Sequence, residues 1–140
     1  MLEIVKAFTK LLNDKRGEMV AQAFGKLLLT ANQLVGGILP SPLMFYDGEI
    51  GRMGTTGFHP HRVFSGTEKA LTYIAIAVAL SVDAPLRLVI LDELGRLDDS
   101  NRIKVQRQLC KAVDYGVIDQ FLIVGTELQR QAEGVKVIQL

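Results

Sequence analysis

Two short apolar runs flanking an amphipathic stretch constrain this chain more than any other feature. Leu86 to Leu91 is a short run rich in apolar and β-branched residues, of the kind that forms a buried parallel strand. Asn101 to Asp114 follows at helical spacing, with Val105, Leu109, Ala112 and Val113 inward and Lys104, Arg107 and Lys111 outward. Phe121 to Val124 is a second buried strand, and Val135 to Leu140 is expected to be a third. Strand, helix and strand at this spacing call for a right-handed parallel crossover, so the second half is an α/β unit. Thr67 to Ser81, just before it, reads as a helix apolar on nearly every face, which implies neighbours all round.

The chain is long enough and apolar enough for this unit to sit in one domain: 140 residues, 49% hydrophobic, with a formal net charge of +1. Sixteen basic against fifteen acidic residues create no bulk field, so a general attraction to nucleic acid or anionic lipid is excluded and such contacts would be local. The basic stripe on the 101–114 helix is read as a solvated face. The lone Cys110 sits in a periodic apolar stretch and reads as core in a reducing, intracellular compartment, either cytoplasmic or associated with nucleoid or nucleus. The longest nearly apolar stretch, Ala70 to Leu80, is too short to span a bilayer, and the N-terminus lacks a secretory pattern. No membrane partner is expected.

The first half is helical and then turns to strands. Ile4, Val5, Phe8, Leu11 and Leu12 recur at helical spacing, and Asn13 to Gly17 interrupts them, which predicts a first helix ending there. From Glu18 the spacing resumes through Val20, Phe24, Leu27, Leu28, Ala31, Leu34 and Val35, and Gly36-Gly37 closes a second helix. Leu43 to Tyr46, Asp47-Gly48 and Glu49-Ile50 read as a β-hairpin with a two-residue turn. Gly51 to Arg62, rich in Gly and Thr and carrying His59 and His61, reads as a long loop. The His pair has no further ligand nearby in sequence to complete a metal site.

Three short motifs carry the chemistry. Phe64-Ser65-Gly66-Thr67-Glu68-Lys69 places a hydroxyl and unobstructed N–H groups at a helix start, which suits an anion such as a phosphate. The same Ser65 and Glu68 also form the sequence of a capping box, which needs no ligand. Leu88 to Leu91 ends in the adjacent carboxylates Asp92 and Glu93, at the strand terminus where α/β sheets bind ligands. A strand-end Asp can hold Mg2+ and a neighbouring carboxylate can deprotonate an attacking water. Gly95-Arg96-Leu97-Asp98 follows at once.

In this order and spacing the motifs resemble the C-terminal lobe of an ABC-type ATPase head. More narrowly, they resemble the heads of the structural-maintenance-of-chromosomes (SMC) and double-strand-break-repair ATPases, over about 65 residues from Phe64 to Thr126. The resemblance implies an α/β, partial P-loop NTPase fold with parallel strands, flanking helices and a β-hairpin. It makes Ser65, Gly66 and Thr67 the signature facing ATP, Asp92 and Glu93 the Walker B pair, Asp98 part of the D-loop and Thr126 the switch position. In those roles Asp92 would hold Mg2+ through water, Glu93 would be the general base, and Asp98 would couple two sites. The whole chain, 1–140, is then one lobe: a helical lead-in at 1–35, hairpin and loop at 41–62, and the motif-bearing segment at 63–140.

The chain departs from that pattern in three places. Thr67 stands where the signature has its second Gly, Thr126 stands where the switch His is usual, and no G-x-x-x-x-G-K-[ST] loop is present. Gly25-Lys26 lies inside a periodic helix and reads as core with an exposed Lys. The resemblance therefore implies half of a head, excised from a longer protein or paired with a separate N-terminal lobe that carries the phosphate-binding loop. Leu2 to Leu12 would lie near the root of a coiled coil. The further partners implied are a second head in a homodimer, DNA for the full assembly, and a nuclease or kleisin-like subunit. The rival expectation is an interaction and assembly module that keeps the fold without hydrolysis, in line with Thr67 and Thr126.

Overall fold

The computed structural model describes residues 2–92, 94–95, 97–125 and 131–138. In chain order these form helix α1 (Leu2–Val35), strands β1 (Leu43–Tyr46), β2 (Glu49–Gly54) and β3 (Gly57–Pro60), a 3-10 turn (His61–Val63), helix α2 (Gly66–Ser81), strand β4 (Leu88–Asp92), helix α3 (Asp99–Asp114) and strand β5 (Gln120–Val124). Strands β1, β2 and β3 pair antiparallel in that order, and β4 pairs in parallel with β5 across α3, as the crossover spacing requires.

Helix α1 runs unbroken through Asn13 to Gly17, where a stop was expected. The polar interruption is compositional and leaves the period intact: Val5, Phe8, Leu12 and Met19 keep spacings of three, four and seven across it. Lys15 and Glu18 also pair at 2.8 Å on this stretch. Residues 3–23 are exposed, a projection of about 30 Å at the helical rise. The last three turns are different: Leu28, Ala31, Leu34 and Val35 are buried, and Gly37 at φ 77° ends the helix. Gly25 lies on the exposed part of the helix and not in the core, and exposed Lys26 reaches Asp83 at 3.1 Å.

The expected hairpin forms, with Asp47 at φ 50° and Gly48 at φ 78° supplying the left-handed pair that a tight two-residue turn needs. The segment expected to be a loop continues it instead, as the rest of β2, the strand β3 and the 3-10 turn. Gly51 explains why its composition misleads. A Cβ there would collide with the His59 carbonyl oxygen and stand 2.5 Å from the Phe58 ring, so the glycine is a packing requirement inside a sheet. Asn32 of α1 anchors the meander: its amide donates to the Leu43 carbonyl at 2.8 Å and its oxygen accepts from the Leu43 N–H at 2.7 Å.

One core joins these parts: the end of α1 meets Leu71, Ala75 and Val78 of α2, Val89 and Leu91 of β4, and Val105 and Leu109 of α3. Cover within the chain is one-sided, so the neighbours that the apolar α2 and β4 imply on every side are not all supplied by these residues. Tyr73 and Leu80 of α2 are exposed, and so are Ile90 (62%), Leu122 (43%) and Val124 (56%). Ile90 stands opposite Leu122 in the parallel register, so these apolar groups share one open face of the two-stranded sheet. Residues 135–138 are irregular and form no third strand; Val135 returns as a turn, its N–H donating to the Ala132 carbonyl. The outer part of that expected strand lies outside the described residues. No helix among the described residues is long and apolar enough to cross a membrane.

Candidate functional site

Helix α2 starts where the sequence placed it, and its first turn is tied from several sides. Ser65 is the N-cap: its Oγ accepts from the Glu68 N–H at 3.2 Å, and its own N–H donates to Glu68 Oε2 at 2.9 Å. The capping box is therefore real. Burial raises the affinity of the Glu68 carboxyl for its proton, but the Ser65 N–H, the Arg52 guanidinium and the Ser65 hydroxyl outweigh it and hold the group below its ordinary range. The ionised carboxylate is the stronger acceptor for the Ser65 N–H, one of the two cap hydrogen bonds.

Gly66 has no such internal explanation. Its φ lies outside the left-handed region, and a Cβ there would meet nothing within 4 Å. Gly66 is the first residue of α2, and neither a left-handed backbone nor close packing in this chain calls for a glycine there. Ser65 and Gly66 are exposed and Thr67 is half-buried, so the positive end of the α2 dipole opens outward beside a small backbone.

Asp92 ends β4, exposed, paired in register with Val124 at the end of β5. Beyond it the chain is pinned by Leu94 and Leu97, both buried, with the Leu97 N–H donating to the Leu94 carbonyl at 2.9 Å. Asp98 then caps α3, its side chain accepting from the Asn101 N–H at 2.8 Å. The sequence reading gave Asp98 a coupling role and missed this cap, which the Ser/Asp preference at helix starts could have shown. Glu93 and Thr126 lie outside the described residues. Gln131 and Ala132 are held by Gln106, buried on α3, whose Oε1 accepts from the Ala132 N–H at 2.8 Å and whose Nε2 donates to Gln131 at 2.5 Å. Periodicity alone could not reveal that role, because Gln106 sits on the apolar side of α3.

The two histidines face different surroundings. His59 shares a 2.9 Å hydrogen bond with Thr56, while His61 packs edge-on against Phe64 and Tyr73. Among the described residues no three His, Cys, Asp or Glu side chains gather as metal ligands. Lys104, Arg107 and Lys111 are exposed as read from the sequence, and they border an open cleft of about 560 Å3 together with Asp114 and Glu133. Cys110 is only half-buried in that cleft, with burial and nearby Asp114 pushing its thiol up.

Mg2+ and a nucleotide fit these residues in part. Asp92 offers a single exposed strand-end carboxylate, enough to hold a hydrated Mg2+ through water but not a bare ion. The start of α2 offers N–H groups and a hydroxyl to one side of a phosphate. Nothing in the sequence supplies the phosphate-wrapping loop on the other side.

No family model matches the sequence, and neither does any curated protein. Solved structures do. The chain is similar to one from work on ATP-driven dimerisation and DNA-stimulated activation of SMC ATPases, with a TM-score of 0.59 and 19% identity over 79% of this chain and 73% of that one. It is also similar to the SMC head domain from Thermotoga maritima, with a TM-score of 0.55 and 22% identity over 76% of this chain and 40% of that one. The fold of this chain is that of part of an SMC-type ABC ATPase head.

Proposed function

We propose that the chain supplies the C-terminal half of an ATP-binding and ATP-hydrolysing head, with a role in DNA repair or chromosome organisation. The observation that carries this reading is the start of α2, where Gly66 faces open space that no internal contact requires, beside the hydroxyl and N–H groups of the Ser65 cap. Ser65 and Gly66 face the γ-phosphate of ATP held by a second head, with Thr67 narrowing the approach. Asp92 would hold a hydrated Mg2+, which would supply charge neutralisation of the phosphates. Glu93, the next residue, accepts a proton from the attacking water, and Asp98, besides capping α3, couples the two sites. Thr126 takes the switch position, where a hydroxyl replaces an imidazole.

The missing phosphate loop comes from an N-terminal lobe that docks on the open apolar face around Ile90, Leu122 and Val124. The exposed apolar stripe of Ile4, Val5, Phe8, Leu11 and Leu12 along the free half of α1 supports a coiled-coil root. DNA stimulation, described for one similar structure, is the natural outcome for the full assembly. The rival assembly module keeps the same fold without turnover, and Thr67 in the signature is the observation in its favour.

The test is Ser65→Arg in a head completed with a P-loop-bearing N-terminal lobe. The long cation fills the phosphate-facing gap, and losing the Ser65 cap costs about 1 kcal/mol, too little to unfold α2, so ATP-driven dimerisation is lost and monomer ATP binding remains. Unchanged dimerisation would reduce Ser65 to a cap.

A further inference from the structure

The capping box at Ser65 differs from an ordinary solvent-exposed one because a third residue, sixteen positions upstream of Glu68, holds it. Arg52 Nη2 donates to Glu68 Oε1, leaving Oε2 for the Ser65 N–H. Both side chains are largely buried, at 16% and 18% exposure, and the guanidinium lies over the Phe64 ring, 5.4 Å from its centroid. Glu68 is engaged at every polar group: its N–H donates to Ser65 Oγ, and its carbonyl accepts from Thr72 Oγ1 at 2.8 Å. Without Arg52 one carboxylate oxygen would lose its partner, and the carboxylate could rotate away from the Ser65 N–H.

Stability alone is a poor account of this arrangement. A largely buried ion pair returns little net stabilisation once desolvation is counted, and Arg52 Nε is buried with no hydrogen-bond partner, a further cost. Such a pair fixes geometry. Arg52 is well placed to do so, because its backbone sits on the middle strand of the meander between Leu43 and His59, and Leu43 is itself clamped by Asn32 of α1. A continuous set of hydrogen bonds and ion pairs therefore joins α1, through the meander, to the first turn of α2.

We infer that Arg52 is a positioning residue: acting through Glu68, it sets the orientation of Ser65 and Gly66 and ties that helix start to the meander and α1. The inference rests on the reading of Ser65 and Gly66 as ligand-facing groups, and it extends that reading to a residue outside every motif.

Hydrogen exchange by mass spectrometry on the full chain, comparing wild type with Arg52→Met, Arg52→Lys and Glu68→Gln, tests the hold itself. Loss of a charge-assisted hydrogen bond accelerates exchange at residues 65–69 by about tenfold or more, with protection elsewhere unchanged. Arg52→Lys recovers much of the protection, and Glu68→Gln, which can still form a capping box, behaves like Arg52→Met. Unchanged exchange at 65–69 overturns the inference. So does acceleration spread over the whole chain, which marks a merely structural pair.

Engagement is then read with Mg-ATP in the head completed by an N-terminal lobe. The expected result for Arg52→Met is monomer ATP affinity within about twofold of wild type and dimerisation weakened by about tenfold or more. Wild-type dimerisation in the variant overturns the positioning role. If the unmutated head fails to dimerise with Mg-ATP, the proposed function fails instead, and the exchange experiment still decides whether Arg52 holds Ser65.

Discussion

Replacing Gly66 by Ala should make this chain more stable and less competent at the same time. The backbone at Gly66 is accessible to any L-residue, and the added methyl meets no atom within 4 Å, so the folded state is not strained. The unfolded chain loses conformational freedom, which favours folding by about 0.4–1 kcal/mol. For a chain of this size that raises the melting temperature by about 1–4 °C. The same methyl projects into the space where a phosphate of the opposing head would sit. A charge-assisted hydrogen bond is worth about 1.5–3 kcal/mol, so dimerisation should weaken by about tenfold or more. Differential scanning fluorimetry reads the first effect, and sedimentation with Mg-ATP in the completed head reads the second. A destabilised variant would show that Gly66 serves the fold; a stabilised variant that dimerises like wild type would show that the open space is not a ligand's.

Glu93→Gln in the completed head should retain ATP binding while turnover falls by at least about a hundredfold, measured as phosphate release, because the amide cannot accept the proton. Gly51→Ala should destabilise the chain by about 2 kcal/mol or more in chemical denaturation, since the clash is with the His59 backbone and not with a yielding side-chain tip. Glu68 should make stability fall in acid: its carboxyl is held below the ordinary 4.5 in the folded state, so the unfolded chain takes up the proton first. That contribution is complete above about pH 4.5 and is lost as pH falls through the folded-state value, and Glu68→Gln should flatten this limb of a denaturation series.

What was legible in the sequence was the chemistry that acts over three or four residues. The Ser65 to Glu68 box, the Asp47-Gly48 turn and the strand-helix-strand crossover each carry their signal locally, and each forms. The break expected in α1 failed because Asn, Asp and Gly lower helix propensity without interrupting the apolar period on either side. The third strand of the meander was hidden because Gly51 answers to Phe58 and His59, residues of the neighbouring strand. Arg52 was hidden for the same reason: its partner is sixteen residues away and on another element. The apolar run of β4 implies cover on both sides, and this chain leaves Ile90 on an open face, the feature that the proposed N-terminal lobe explains.

That lobe is the centre of the account, and titration of the chain with Mg-ATP in its absence and presence tests it most directly. Alone, the chain should self-associate through its open apolar face and show no saturable ATP binding below the millimolar range. With a P-loop-bearing N-terminal lobe, monodispersity and nucleotide binding should appear together, because the ligand binds only the assembled form. Tight ATP binding by the isolated chain would contradict the half-head reading, and a monodisperse chain indifferent to any such lobe would favour the assembly module.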